Sequence, residues 1–191
     1  MAVERTTEYF TDASAFRDWL AGHHDSSPGI WLKIAKKDRG KSSVSYDEAL
    51  DAALCFGWID GQKRALDDDF WLQGFSARRA RSPWSKRNRD KAERLLADGV
   101  MLEPGLAEVE VAKADGRWDR AYEGQSTATV PQDFLDALAQ VPAAEQFFAT
   151  LNKVNRYAVA YRLQDAKKPE TRARRIDKFV QMFAEGKAIH G

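Results

Sequence analysis

Between Arg78 and Arg94, eight basic residues (Arg78, Arg79, Arg81, Lys86, Arg87, Arg89, Lys91 and Arg94) stand against two acids, Asp90 and Glu93, a local charge of +6. Within that run Ser82-Pro83 has the form of a helix start, a capping hydroxyl followed by proline at the first helical position. The unpaired N–H groups and the dipole of such a terminus favour an anion, so a phosphate or carboxylate could dock there. Trp84 would add a stacking face, and Asn88, one turn on, a neutral donor and acceptor. The same pattern also describes a solvated helix face whose arginines pair with acids elsewhere.

Other residue types with chemistry are sparser. Asp60 lies in Gly57-Trp-Ile-Asp-Gly61, where a carboxylate either bonds within a turn or orients a ligand donor or an arginine. Asp67-Asp68-Asp69 could hold a hard cation or simply be solvated at a hairpin tip. Cys55, between Leu54 and Phe56, reads as a buried small apolar residue, with no local cation to lower its pKa. His23 and His24 adjoin Asp25 but lack the i, i+4 spacing of a helical zinc pair, and no thiolates accompany them. Gly40-Lys41-Ser42 has the ending of a phosphate-binding loop, yet the motif needs glycine where Ala35 stands. No catalytic residue, metal site or cofactor is therefore assigned.

The elements that must position these residues follow from periodicity. Thr11 can cap a helix carrying Phe16, Trp19 and Leu20 on one face, ending near Gly22. Ile30, Leu32 and Ile34 alternate with Trp31, Lys33 and Ala35, which predicts a strand. Ser45-Tyr-Asp-Glu48 is a capping box, so a helix should run to Phe56 and stop at Gly57. Trp58 to Leu66 and Phe70 to Phe75 read as an antiparallel hairpin around the acidic turn, with Asp60-Gly61 as a competing turn. Helices should follow from Ser82 to Leu96 and from Pro104. Beyond a polar linker at 124–130, four more are expected, at 131–139, 142–151, 153–166 and 169–185, three of them opened by proline. In the last, Ala173, Ile176, Val180 and Phe183 form the expected buried stripe.

The expected class is thus α+β: a small antiparallel sheet of about three strands packed with helices, then an all-helical segment. The core should span residues 1–123 and the helical segment 131–191, packed on that core. The 191 residues are 43% apolar and 31% charged, with six Trp, ten Phe and five Tyr, the composition of a folded globule. Thirty basic residues against twenty-nine acidic ones leave a net charge of +1, so no global field attracts nucleic acid or anionic lipid. One cysteine excludes an internal disulfide framework. With no apolar leader at residues 1–9 and no stretch near the ~20 apolar residues of a membrane span, the expected location is the cytoplasm, with no membrane partner.

Two segments carry a family resemblance. One runs from Ser45 through the Gly57-Trp-Ile-Asp-Gly61 motif to the Phe75–Asn88 stretch; the other is Ala166-Lys-Lys-Pro-Glu-Thr-Arg-Ala-Arg-Arg-Ile176, with Glu185-Gly-Lys187. Together they resemble the YdeI/OmpD-associated (bacteriocin-protection) family over roughly residues 28–189. Departures are Ala77, where that family often has proline, and Gly74, where it often has an arginine before the phenylalanine. The resemblance implies a bacterial protein linked to bacteriocin protection and stress resistance, and it brings no agreed catalytic set.

From the residues themselves, the expected function is non-catalytic binding of a small anionic or aromatic ligand between a Trp-lined sheet and the Ser82 helix. Its site would comprise Trp58, Asp60, Arg78, Arg79, Ser82, Trp84 and Asn88, with Trp31, Trp58 and Trp71 all in the sheet region. One rival is nucleic-acid binding through the Arg78–Arg94 stretch with Trp84 stacking. Another is a hydrolase or transferase pairing Asp60 with His23 or His24.

Overall fold

Short-range hydrogen bonds start and stop the first elements. The structure, a computed structural model, describes residues 4–125 and 127–190; the expected domain ends at 1–3 and 191, and position 126 of the expected linker, lie outside the described residues. A three-residue strand, β1 (Thr6–Glu8), precedes helix α1 (Ala13–His23). The cap of α1 is Asp12, whose carboxylate accepts from Ala15 N at 2.9 Å. The expected cap, Thr11, instead donates its hydroxyl to Asp12. After β2 (Ile30–Ala35), the expected Ser45/Glu48 capping box opens α2 (Tyr46–Cys55), and Gly57 follows its end with φ 71°.

The sheet has four strands rather than about three, and it is mixed. Strands β3 (Trp58–Ala65) and β4 (Phe70–Ala77) form the expected hairpin around Asp67–Asp69, and the order is β1-β2-β4-β3. Only β1 pairs in parallel, with β2. At three residues β1 is too short to show alternation, and its ladder is supplied by β2, remote in sequence. Asp60-Gly61, the competing turn signal, is absorbed as an irregularity: the β3–β4 register shifts between Asp60 and Lys63.

Register sorts the side chains onto two faces. Ile30, Leu32 and Phe75 are fully buried, and Phe75 lies 5.8 Å from the Phe16 ring of α1. Trp71, opposite Ile34, shares this face and meets Tyr46 of α2 at 6.1 Å. Trp31, paired with Gly74, points to the other side. The three sheet tryptophans therefore do not line one wall.

Helix α3 (Lys86–Ala97) begins at Lys86 and not at Ser82. Arg81 adopts φ 67°, which ends any helical run through this turn. Ser85 forms a β-bridge with Tyr122, and Lys86 N donates to the Tyr122 carbonyl at 2.7 Å. Helix α4 (Glu103–Ala114) starts with Pro104 in its first turn, as expected.

Backbone contacts divide the chain into two units: residues up to Trp84 with Asn88–Asp119, and Ser85–Arg87 with Arg120 onward. The second contains α5 (Gln132–Ala139), α6 (Pro142–Thr150), α7 (Lys153–Gln164) and α8 (Pro169–Ala184), so the C-terminal part is helical. Its core gathers Phe134, Phe148, Phe179 and Phe183. On α8 the buried positions are Phe179 and Phe183, with Ile176 and Val180 partly covered; Ala173, expected in the stripe, is exposed. The rings of α5 and α6 meet Phe179 and Phe183 in the C-terminal half of α8, which leaves Ala173 in its N-terminal half outside the stripe.

Candidate functional site

The expected site residues fall into separate groups. Asp60, half-buried on β3, accepts from the Tyr46 hydroxyl at 2.8 Å and from Asn88 Nδ2 at 3.2 Å. Asn88 is 4% exposed, so it acts as an internal anchor from α3. Trp58 is fully buried, donates Nε1 to the His24 carbonyl at 2.9 Å and meets Trp19 edge-on at 5.9 Å.

The second group is the turn between β4 and α3. Arg78, 7% exposed, lays its guanidinium 3.8 Å from the Trp84 ring centre and donates to the carbonyls of Ser82 and Pro83. Arg117 donates to the same Ser82 carbonyl at 2.8 Å. The Ser82 hydroxyl accepts from Arg79 N, closing the turn rather than capping a helix. Trp84, 2% exposed, is stacked between Arg78 and Trp118, with its Nε1–H lacking an acceptor among the described residues. The turn is thus pinned by two arginines, and Trp84 has no open face to offer a base or ring. Arg79 alone of the Arg78/Arg79 pair is exposed.

Much of the basic charge on α3 is paired. Lys91 reaches Asp51 at 2.8 Å and Asp47 at 3.4 Å, and Arg94 bridges Asp51 and Asp98, which ties α3 to α2. Arg89 pairs with Asp90 and Glu93, and Lys86 with Glu123. In the second basic stretch Arg172 grips Asp133 and Arg175 reaches Asp165.

An open cleft lies where the sheet meets the N-terminus of α2. It holds about 510 Å³ and is lined by Ile34, Ala35, Lys36, Lys37, Ser45, Tyr46, Lys63, Arg64, Ala65 and Trp71. Four cations and two aromatic rings line it, with no carboxylate among them. Lys63 Nζ sits 4.1 Å from the Trp71 ring centre, and Lys36 Nζ donates to the Asp67 carbonyl at 2.7 Å. The Tyr46 that lines the cleft is the same one that bonds Asp60. Asp60 and Asn88 therefore touch the cleft through one intermediary, whereas Arg78, Ser82 and Trp84 are absent from its lining. Lys36 and Lys63 were legible only as a polar strand exit and a hairpin strand; nothing local marks them as neighbours.

Elsewhere, Cys55 is fully buried and accepts a long contact from Arg17 Nη1 at 3.9 Å, a cation that no neighbour in sequence announces. Burial pushes the thiol up from its ordinary value, outweighing the opposite pull of Arg17. His23 and His24 turn Nδ1 toward the carbonyls of Trp19 and Leu20, and among the described residues no hydrogen bond joins either to Asp60. Asp67 accepts from Asp69 N and Phe70 N, so it shapes its own turn. Among the described residues no three His, Cys, Asp or Glu side chains gather as metal ligands, and no helix is long and apolar enough to cross a membrane.

Fold and cleft define an α+β protein with a four-stranded mixed sheet, a helical C-terminal part and a cationic, aromatic recess at the sheet end. The chain belongs to the family described as Domain of unknown function (DUF8412), whose model matches residues 8–108, more than half of its length. Residues 127–186 match the family model Bacteriocin-protection, YdeI or OmpD-Associated, so the expected resemblance stands there, on the stretch containing Ala166–Ile176. The Ser45–Asn88 block falls within the first match. Comparison with curated proteins and with solved structures finds no match.

Proposed function

We propose that this is a non-catalytic cytoplasmic protein, associated with stress or antimicrobial resistance, that binds a small anionic aromatic ligand in the cleft beside Tyr46. The observation that carries the reading is the lining of that cleft: lysines and an arginine around Tyr46 and Trp71, without a carboxylate. Its volume suits a small molecule, and pockets of this kind combine apolar walls with a few placed polar groups. The ring of the ligand would lie along Trp71 and Tyr46 while Lys37 and Lys63 meet its anionic group. Asp60 and Asn88 act as positioning residues, holding the phenol of Tyr46 at the cleft wall. Trp58, Arg78, Ser82 and Trp84 serve this reading as framework.

A thermal-shift screen of aromatic carboxylates and aryl phosphates tests it, run on the wild type and on Lys63→Ala, Trp71→Leu and Arg79→Ala. A stabilisation that Lys63→Ala and Trp71→Leu abolish and Arg79→Ala leaves intact is expected. A hit lost only in Arg79→Ala would move the site to the 78–82 turn, and an absence of hits would overturn the reading.

A further inference from the structure

The face of the sheet opposite α1 and α2 carries an arrangement that shares only Arg64 with the cleft. Trp31 lies across Gly74, where an added Cβ would come within 3.3 Å of the ring. Arg64 stacks on that ring with its guanidinium carbon 3.9 Å from the centroid, and Arg5 approaches at 5.9 Å. One strand position further along, Lys33 Nζ sits 4.0 Å from the Phe70 ring centre, and Tyr9, exposed, meets Phe70 edge-on at 6.0 Å. Trp31, Lys33 and Phe70 are half-exposed, and Arg64 is exposed.

Following the registers across the four strands, none of the residues paired on this face is acidic. The near-neutral total charge of the chain thus conceals a set of paired strand positions whose charges, Lys33 and Arg64, are both positive. Aromatic rings distributed along a sheet and flanked by arginine and lysine match one class of polymer. Bases stack on the rings without regard to sequence, while the cations follow the phosphates. A duplex hides its base faces and could not use the rings; a single strand could.

We infer that this sheet face binds single-stranded nucleic acid: Arg64 and Lys33, which lie over the Trp31 and Phe70 rings, turn with Arg5 to the phosphates, and the two rings they uncover stack the bases. The surface is separate from the expected basic stretch on α3, whose Trp84 is buried, and the inference does not rest on the small-ligand reading.

The test is fluorescence anisotropy of a labelled oligothymidylate of about 12 nucleotides, titrated with the full chain at low and moderate salt. A blunt duplex and polyglutamate serve as competitors. Expected are binding to the single strand, a steep loss of affinity with salt, and weakening by about tenfold or more in Lys33→Ala/Arg64→Ala and in Trp31→Leu. Lys63→Ala, in the cleft, should bind as the wild type does. Quenching of wild-type tryptophan fluorescence on binding supplies a readout that needs no variant. No binding at low salt, equal competition by duplex or polyglutamate, or undiminished binding by folded variants would each overturn the inference.

Discussion

The Tyr46 hydroxyl donates to Asp60 across 2.8 Å, joining the first turn of α2 to the third strand of the sheet at the point where β3 loses register. A carboxylate inside a β-strand is uncommon because it gains nothing from the pleat. Here it gains two side-chain donors, and Asn88 brings α3 to the same point.

Removing the donor should therefore matter more than its half-exposed position suggests. Tyr46→Phe is expected to lower stability by about 1–2 kcal/mol, between the values for a neutral and for a charged acceptor. Asp60→Ala should do so by about 2–3 kcal/mol, because it removes the acceptor of both Tyr46 and Asn88. Urea denaturation of the three proteins checks the order, and equal midpoints would refute it.

Gly105 is a second test of close packing. An added Cβ at this position in α4 would stand 2.5 Å from the Leu54 carbonyl oxygen and 2.6 Å from that of Cys55, both backbone atoms at the end of α2. Neither can swing aside. Gly105→Ala, normally favourable within a helix, is expected to destabilise by about 1–3 kcal/mol, read as a lowered thermal midpoint.

In the helical unit, Arg172 hydrogen-bonds the Asp133 carboxylate and holds its pKa below the usual carboxylate value. A depressed folded-state pKa contributes stability that is present above the unfolded-state value and lost as pH falls through the folded one. The pair is largely solvated, so Asp133→Asn should reduce stability at pH 7 by no more than about 1 kcal/mol. That difference should fade as pH drops below about 4. Denaturation midpoints measured at both pH values decide the matter.

Cys55 should be inert in the native protein. Its thiol is fully buried and its pKa is raised by that burial, so a thiol-reactive dye at pH 8 is expected to label it only at the rate of unfolding. Prompt labelling of the folded protein would contradict the placement of Cys55 within the core.

Local chemistry in the chain was sufficient for much of the scaffold. The Ser45/Glu48 box, the prolines at the starts of α4, α6 and α8, the alternation of β2 and the acidic hairpin turn are all satisfied by near neighbours, and the structure contains each of them. What remained for the tertiary structure was everything that depends on partners distant in sequence. The ladder that makes β1 a strand comes from β2, the second guanidinium on the Ser82 carbonyl comes from Arg117, and α3 charge is answered by Asp51 on α2. Asp60 was visible as an acid in an unusual place, but Tyr46, fourteen residues earlier, became its donor only when α2 packed on the sheet. The cleft and the cationic sheet face likewise arise from register, which decides whether a lysine and a tryptophan that are distant in the chain share one side; periodicity within a strand cannot carry that information.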